Sequence, residues 1–198
     1  MPSATFYARS LTELLANRVR DQPNEHSIHT GVPGCDASVL RSLTYQQVQK
    51  AVDRLAWHYS TQDLLPPCDA NDVPPVRIIA VLTSSAYDES LLEMALAKLG
   101  LTALLLSVNN SVAAVAHLCQ ITNATHLIYG TKFVSHAAEA QQILEDKGYK
   151  LGTLPDTRFP LWGPEGVELS RVEPYPARLS PEVERDRPAV LLHSSGSV

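Results

Sequence analysis

The sequence predicts an α/β fold, a mostly parallel β-sheet with flanking helices. Three observations predict it. Short apolar runs recur at residues 76–84, 101–107 and 125–130, and their continuity fits strands buried on both faces. Amphipathic helical patterns with start and stop signals stand between them. Strict strand–helix alternation then requires crossover connections, which are right-handed and lay helices on the sheet.

Taken in order, the first helix is expected in "SLTELLANRVRDQP". Ser10 is the N-cap with Glu13 three residues on, Leu11, Leu14, Leu15 and Val19 recur at helical spacing, and Pro23 stops it. A second follows in "LTYQQVQKAVDRLAWHYS", where Thr44 and Gln47 form a capping box and Tyr45, Val48, Val52, Leu55 and Tyr59 share a face. After the strand at 76–84, "SAYDESLLEMALAKLG" offers Ser85 and Asp88 as a capping pair. Tyr87, Leu91, Met94 and Ala95 form its stripe, Lys98 favours the dipole in the last turn, and Gly100 is the stop. The run 101–107 is the next strand. Asn110 is expected to cap a helix carrying Val112, Val115, Ala116 and Cys119 at i, i+3, i+4, i+7, and 125–130 is the third strand. One more helix fits "SHAAEAQQILEDKG", closed by Gly148.

The texture then changes. Half of the 14 prolines lie between Pro155 and Pro188, so this stretch reads as turns and extended connections. The expected division is an α/β core over 1–150, a proline-rich connection over 151–187, and a strand leading into a Ser/Gly loop over 188–198.

Composition excludes several function classes. With 16 Lys+Arg against 21 Asp+Glu, a net charge of -5 and no basic run, nothing offers a polyanion a footprint, so no nucleic-acid partner is expected. No apolar run approaches the ~20 residues that cross a bilayer, and the start "MPSATFYARSLTELL" lacks the pattern of a secretory leader. The expected setting is cytoplasmic, with no membrane partner. Cys35, Cys68 and Cys119 are odd in number and far apart, so they read as reduced thiols, and the sequons at Asn109 and Asn123 as unused.

Scattered polar residues have plain explanations. His26 and His29 in "HSIH" are three apart, but in an extended segment they would point to opposite faces, which argues against a metal site. His58, His117, His126 and His136 read as surface or hydrogen-bonded residues, and Trp57 and Trp162 as packing residues. Asp88 and Glu89 favour the macrodipole in a first helical turn. His193, just before the loop, is placed either to touch a nucleotide or to end a strand.

The chemical signature is "HSSGS" at 193–197. Gly196 frees the backbone for unusual φ/ψ, and Ser194, Ser195 and Ser197 add hydroxyl donors, a composition that suits an anion. Ser and Gly also dominate ordinary turns, and the sequence lacks both G-x-x-x-x-G-K-[ST] and G-x-G-x-x-G. The segment is not a hydrolase nucleophile elbow either, since Gly is missing two positions before each serine of the pair.

In order and spacing, "SLTYQQVQKAVDRLAWHYS", "VRIIAVLTSSAYDESLLEMALAKLGLTALLLS", "ATHLIYG" and "AVLLHSSGS" together resemble the N-terminal part of an adenylate-forming (AMP-binding) enzyme. That superfamily holds acyl-CoA synthetases, luciferases and peptide-synthetase adenylation domains, and the likeness runs from about Leu11 onward. More narrowly, "GLTALLLSVNNSVAAVAHL" and "PAVLLHSSGS" resemble fungal NRPS-like adenylate-forming reductases. The resemblance implies ATP-dependent activation of a carboxylic acid to an acyl-adenylate, with Mg alongside ATP, and transfer of the acyl group to a carrier-domain thiol. It also implies that Ser194, Ser195, Gly196 and Ser197 are the first four positions of the loop [ST]-S-G-[ST]-T-G that embraces the β- and γ-phosphates. Val198 departs from the fifth position, having no hydroxyl. The acid pocket, the adenine and ribose motifs and the catalytic lysine of the family lie beyond such a point, so no catalytic residue is assigned here and 198 residues alone are expected to be inactive. Two alternatives stand beside this expectation: a natural short remnant or interaction module, and an unrelated α/β small-molecule binder.

Overall fold

A computed structural model of the chain describes residues 8–31, 40–67, 72–84, 86–157 and 171–193. The first helix, α1 (Leu11–Asp21), begins as its sequence requires: the Ser10 hydroxyl accepts the Glu13 N–H at 3.1 Å. Two strands then pair antiparallel, β1 (His26–Gly31) and β2 (Leu40–Thr44). This hairpin has too little apolar alternation to be read from the sequence. Thr44 ends β2 and caps α2 (Tyr45–Ser60) through the expected capping box, with Gln47 N–H to Thr44 Oγ1 at 3.3 Å and Thr44 N–H to Gln47 Oε1 at 2.9 Å.

The main sheet is parallel throughout, in the order β6-β5-β3-β4-β7. Its members are β3 (Ile78–Leu82), β4 (Thr102–Leu105), β5 (His126–Tyr129), β6 (Gly152–Pro155) and β7 (Val190–Leu192). The crossovers between the first four are α3 (Ala86–Lys98), α4 (Val112–Ile121) and, after a 3-10 turn at Thr131–Phe133, α5 (Val134–Glu145). Strand β6 lies at the start of the stretch 151–187 read as a proline-rich connection, and α6 (Pro181–Arg185), capped by the Ser180 hydroxyl, lies near its end.

Period-two alternation divides the core. On one face, Ile79, Val81, Ala103 and Ile128 pack with α1, α2 and α3; on the other, Ala80, Leu82, Leu104 and Leu127 pack with α4 and α5. Because α3 lies between the sheet and α1/α2, it is apolar on more than one side: Leu91, Leu92, Ala95 and Leu96 are all buried, a wider belt than the expected stripe.

Each crossover helix ends in the same way. A residue two or three positions past the helix takes a left-handed conformation, and the next N–H reaches back to close the Schellman pattern. Gly100 (φ 72) precedes Leu101 N–H to Leu96 O at 2.9 Å, Asn123 (φ 57) precedes Ala124 N–H to Cys119 O at 2.9 Å, and Gly148 (φ 75) precedes Tyr149 N–H to Leu144 O at 2.8 Å. Gly100 and Gly148 were legible as stops; Asn123, first noticed as a sequon, does the same work in α4.

The return from β6 to β7 crosses the α1/α2/α3 face. Trp57 Nε1 donates to Glu173 O at 3.0 Å and the indole meets Tyr175 edge-on, confirming a packing role. Glu184 of α6 is buried and accepts from Thr12 N–H at 3.1 Å and Thr12 Oγ1 at 2.9 Å, which satisfies a free N–H of the first turn of α1.

Candidate functional site

The carboxyl ends of parallel strands are where ligand crevices form in open α/β sheets. At that edge lies a cavity of about 390 Å³ whose walls include Thr83, Ser84, Glu89, Ser107 and His193. Thr83 follows β3 directly; its side chain is 2% exposed, and among the described residues its hydroxyl has no hydrogen-bond partner. Gly130, after β5, passes close to it: a Cβ built on Gly130 would lie 3.4 Å from Thr83 Oγ1. An orphaned buried hydroxyl costs roughly 1–3 kcal/mol, so its retention beside a cavity marks the wall as a place where a ligand could complete the bond.

The β4–α4 turn forms the neighbouring wall and satisfies itself internally. Asn110 N–H donates to Ser107 O at 3.0 Å and Asn109 N–H to Ser107 Oγ at 3.2 Å. The expected N-cap Asn110 is not the cap: Ser111 Oγ accepts the Ala114 N–H at 3.2 Å. The Asn110 amide instead reaches His193, with Nδ2 3.0 Å from Nε2, and the Ser107 N–H lies 3.2 Å from the same nitrogen. Strand β7 therefore ends with a side chain held by the turn after β4, and residues 194–197 follow at once.

Glu89 is the one carboxylic acid among the described residues of this wall. Glu89 is half-buried in the first helical turns of α3, and its carboxyl is held above the usual range, first by burial and then by the Glu93 carboxylate. Burial favours a neutral Glu89, which lessens its conflict with an anion. The hydroxyls of Thr83, Ser84 and Ser107 fit the acceptor-rich oxygens of a phosphate chain. The expected phosphate-binding residues Ser194, Ser195, Gly196 and Ser197 lie outside the described residues, as do Cys35, Cys68, Ser85 and Trp162. Sequence reasoning singled out His193, but not Thr83, Ser107 or Glu89 as sharing a crevice with it, since nothing local distinguishes a threonine ending a strand.

The other polar residues resolve plainly. The rings of His26 and His29 do not diverge: their centroids are 5.9 Å apart, because a register shift between His26 and Ile28 changes the parity of the strand. His29 Nδ1 is 2.6 Å from Ser42 Oγ, and among the described residues no group of three or more His, Cys, Asp or Glu could hold a metal. His58 Nε2 pairs with Thr157 Oγ1 at 2.9 Å and His126 Nδ1 with Thr125 Oγ1 at 3.1 Å; burial disfavours the charged form of both. Among the described residues no helix is long and apolar enough to cross a membrane. Lys98, expected at the helix end for its charge alone, is buried and donates to Asp53 of α2.

No family model matches the chain, and no curated protein matches it. Solved structures do. The long-chain-fatty-acid-CoA ligase of Archaeoglobus fulgidus superposes over 100% of this chain and 36% of its own, with a TM-score of 0.67 at 12% identity. The N-terminal domain of FACL13 from Mycobacterium tuberculosis matches over 86% of this chain and 38% of its own (TM-score 0.60, 15% identity). ATP-bound MatB from Rhodopseudomonas palustris matches over 96% of this chain and 33% of its own (TM-score 0.63, 17% identity). The chain thus spans about a third of the length of these proteins, and it has the α/β fold of that part of them.

Proposed function

We propose that this chain is the N-terminal part of an adenylate-forming enzyme that activates a carboxylic acid with ATP, and that Ser194, Ser195, Gly196 and Ser197 contact the β- and γ-phosphates. The observation that supports the proposal is that β7 ends in His193 at the carboxyl edge of the sheet, in the crevice that Thr83 and Ser107 also line, one residue before Ser194 in the sequence, in a fold shared with ATP-bound and CoA-linked ligases. Gly196 lets the backbone turn its N–H groups toward an anion, and the three serines add hydroxyl donors. Thr83 and Ser107 widen that donor set. When bound, ATP with Mg²⁺ supplies the electrophilic phosphorus that the carboxylate attacks as pyrophosphate leaves. The chain's own residues hold and orient the phosphates and shield their charge from water.

The finer reading includes a fungal NRPS-like adenylate-forming reductase as parent, a carrier-domain thiol as acyl acceptor and a cytoplasmic setting, which suits the reduced buried thiol of Cys119. Its organisation is an α/β core over 1–150, a connection over 151–187 that contributes β6 to the sheet, and a strand and opening phosphate loop over 188–198. The acid pocket and the remaining catalytic groups belong to the other two thirds of such an enzyme, so this segment alone carries no adenylation activity.

The test is an amide-resolved NMR titration of the 198-residue chain with pyrophosphate. Shifts centred on residues 193–197 and on Thr83 and Ser107 are expected, and shifts elsewhere or none would sink the phosphate reading. In parallel, the chain should yield no hydroxamate from MgATP, hydroxylamine and a panel of carboxylic acids. A longer gene product containing it should show acid-dependent ATP–pyrophosphate exchange.

A further inference from the structure

We propose that His193 is a positioning residue whose Nε2 atom, acting as a single shared acceptor, fixes the end of β7 against the β4–α4 turn. The functional meaning of this rests on the phosphate reading above; the chemistry does not. A backbone N–H can only donate, so the Ser107 N–H at 3.2 Å requires a lone pair on His193 Nε2. The ring is therefore neutral with its proton on Nδ1. That choice also orients Asn110: facing an acceptor 3.0 Å away, its amide must present NH₂ rather than oxygen.

The arrangement has a reason in the fold. Strand β7 is three residues long, pairs on one side with β4, and leaves Leu192 77% exposed, so its own packing holds its end weakly. The β4–α4 turn is firm by contrast, since the Asn109 and Asn110 N–H groups close on Ser107 and Ser111 caps α4. The N–H of Ser107 and the amide of Asn110 both converge on one imidazole nitrogen. A firm element thus fixes the exit of a short one, one residue before the loop begins. The side chain spans 86 positions of sequence to Ser107, a coupling that local propensity cannot encode.

Histidine tautomers are read directly by long-range ¹H–¹⁵N NMR of the 198-residue chain. His193 is expected in the Nδ1–H form with an unprotonated Nε2; a dominant Nε2–H form would overturn the proposal. Three variants separate position from shape. In His193→Gln the amide oxygen can take the place of Nε2, in His193→Asn it falls short at the place of Nδ1, and in His193→Phe only the ring remains. Ser107 amide exchange should stay within about threefold of wild type in the Gln variant and rise about tenfold in the Asn and Phe variants, the effect of losing one hydrogen bond. Equal exchange in the Gln and Phe variants refutes the role. Should the variants fail to fold, the wild-type tautomer decides. None of these readings involves phosphate, so failure of pyrophosphate to shift residues 194–197 would remove the phosphate reading and leave the role of His193 standing.

Discussion

Lys98, in the last turn of α3, donates a hydrogen bond to the Asp53 carboxylate of α2, and both side chains are buried. Asp53 also accepts the Tyr175 N–H, so the pair joins two helices and the return segment at one point. Removing one partner leaves the other charge buried alone. Lys98→Met should therefore cost about 3–5 kcal/mol in urea unfolding, whereas Asp53→Asn/Lys98→Met should recover most of that loss. A double variant as unstable as the single would show that the pair has no coupling.

The same aspartate predicts a pH dependence. Burial raises the Asp53 carboxyl above its ordinary range, outweighing the opposing bond from Lys98. The folded state then holds this proton more tightly than the unfolded chain, so the stability it contributes is present at acid pH and is lost as pH rises through the raised value. Wild-type stability minus that of Asp53→Asn should fall as pH rises from about 3.5 to 7, across the ordinary carboxylate range. Urea midpoints for the two proteins across that range check it, and a wild type that gains on the variant as pH rises contradicts it.

At the far edge of the sheet, a Cβ on Gly152 would lie 2.3 Å from His126 Cδ2 and 2.6 Å from Nε2. The two residues are register partners of β5 and β6, so a methyl group cannot be accommodated without moving the ring. Gly152→Ala should destabilise the fold by about 1–3 kcal/mol through overpacking. Adding His126→Ala should return most of it, measured by thermal or urea unfolding.

Cys119 is fully buried, and burial pushes its thiol up to about 12. Thiolate is the reacting species, so the folded protein should alkylate at Cys119 at least about a thousandfold more slowly than the unfolded chain. Site-resolved mass spectrometry after iodoacetamide treatment, with and without urea, measures this ratio.

Thr83→Val keeps the side-chain shape and removes the orphaned hydroxyl. The variant should gain about 1 kcal/mol of stability, and lose affinity for pyrophosphate if the hydroxyl serves the crevice. A loss of stability would mean that the hydroxyl has a structural partner.

The sequence by itself determined the elements whose signals are local. The capping box at Thr44, the N-cap at Ser10, the stops at Gly100 and Gly148 and the apolar runs of β3, β4 and β5 all depend on neighbours within four residues. Those runs, alternating with helices, were enough for the α/β class. Only tertiary structure decided the rest. Strand β6 is four residues in a proline-rich stretch and becomes a strand because the edge of β5 offers it hydrogen bonds. Lys98 pairs with Asp53 across from it rather than serving only as a terminal charge, and Asn110 faces His193 while Ser111, one residue on, caps α4. The site shows the same division. His193 was legible as a strand-end residue, but the crevice wall joins it to Thr83 and Ser107, residues brought together by parallel register between strands far apart in the chain. Hydrogen bonding along a helix or through a turn is encoded by spacing; contact across a sheet is set by which strands become neighbours, and that is a property of the whole core.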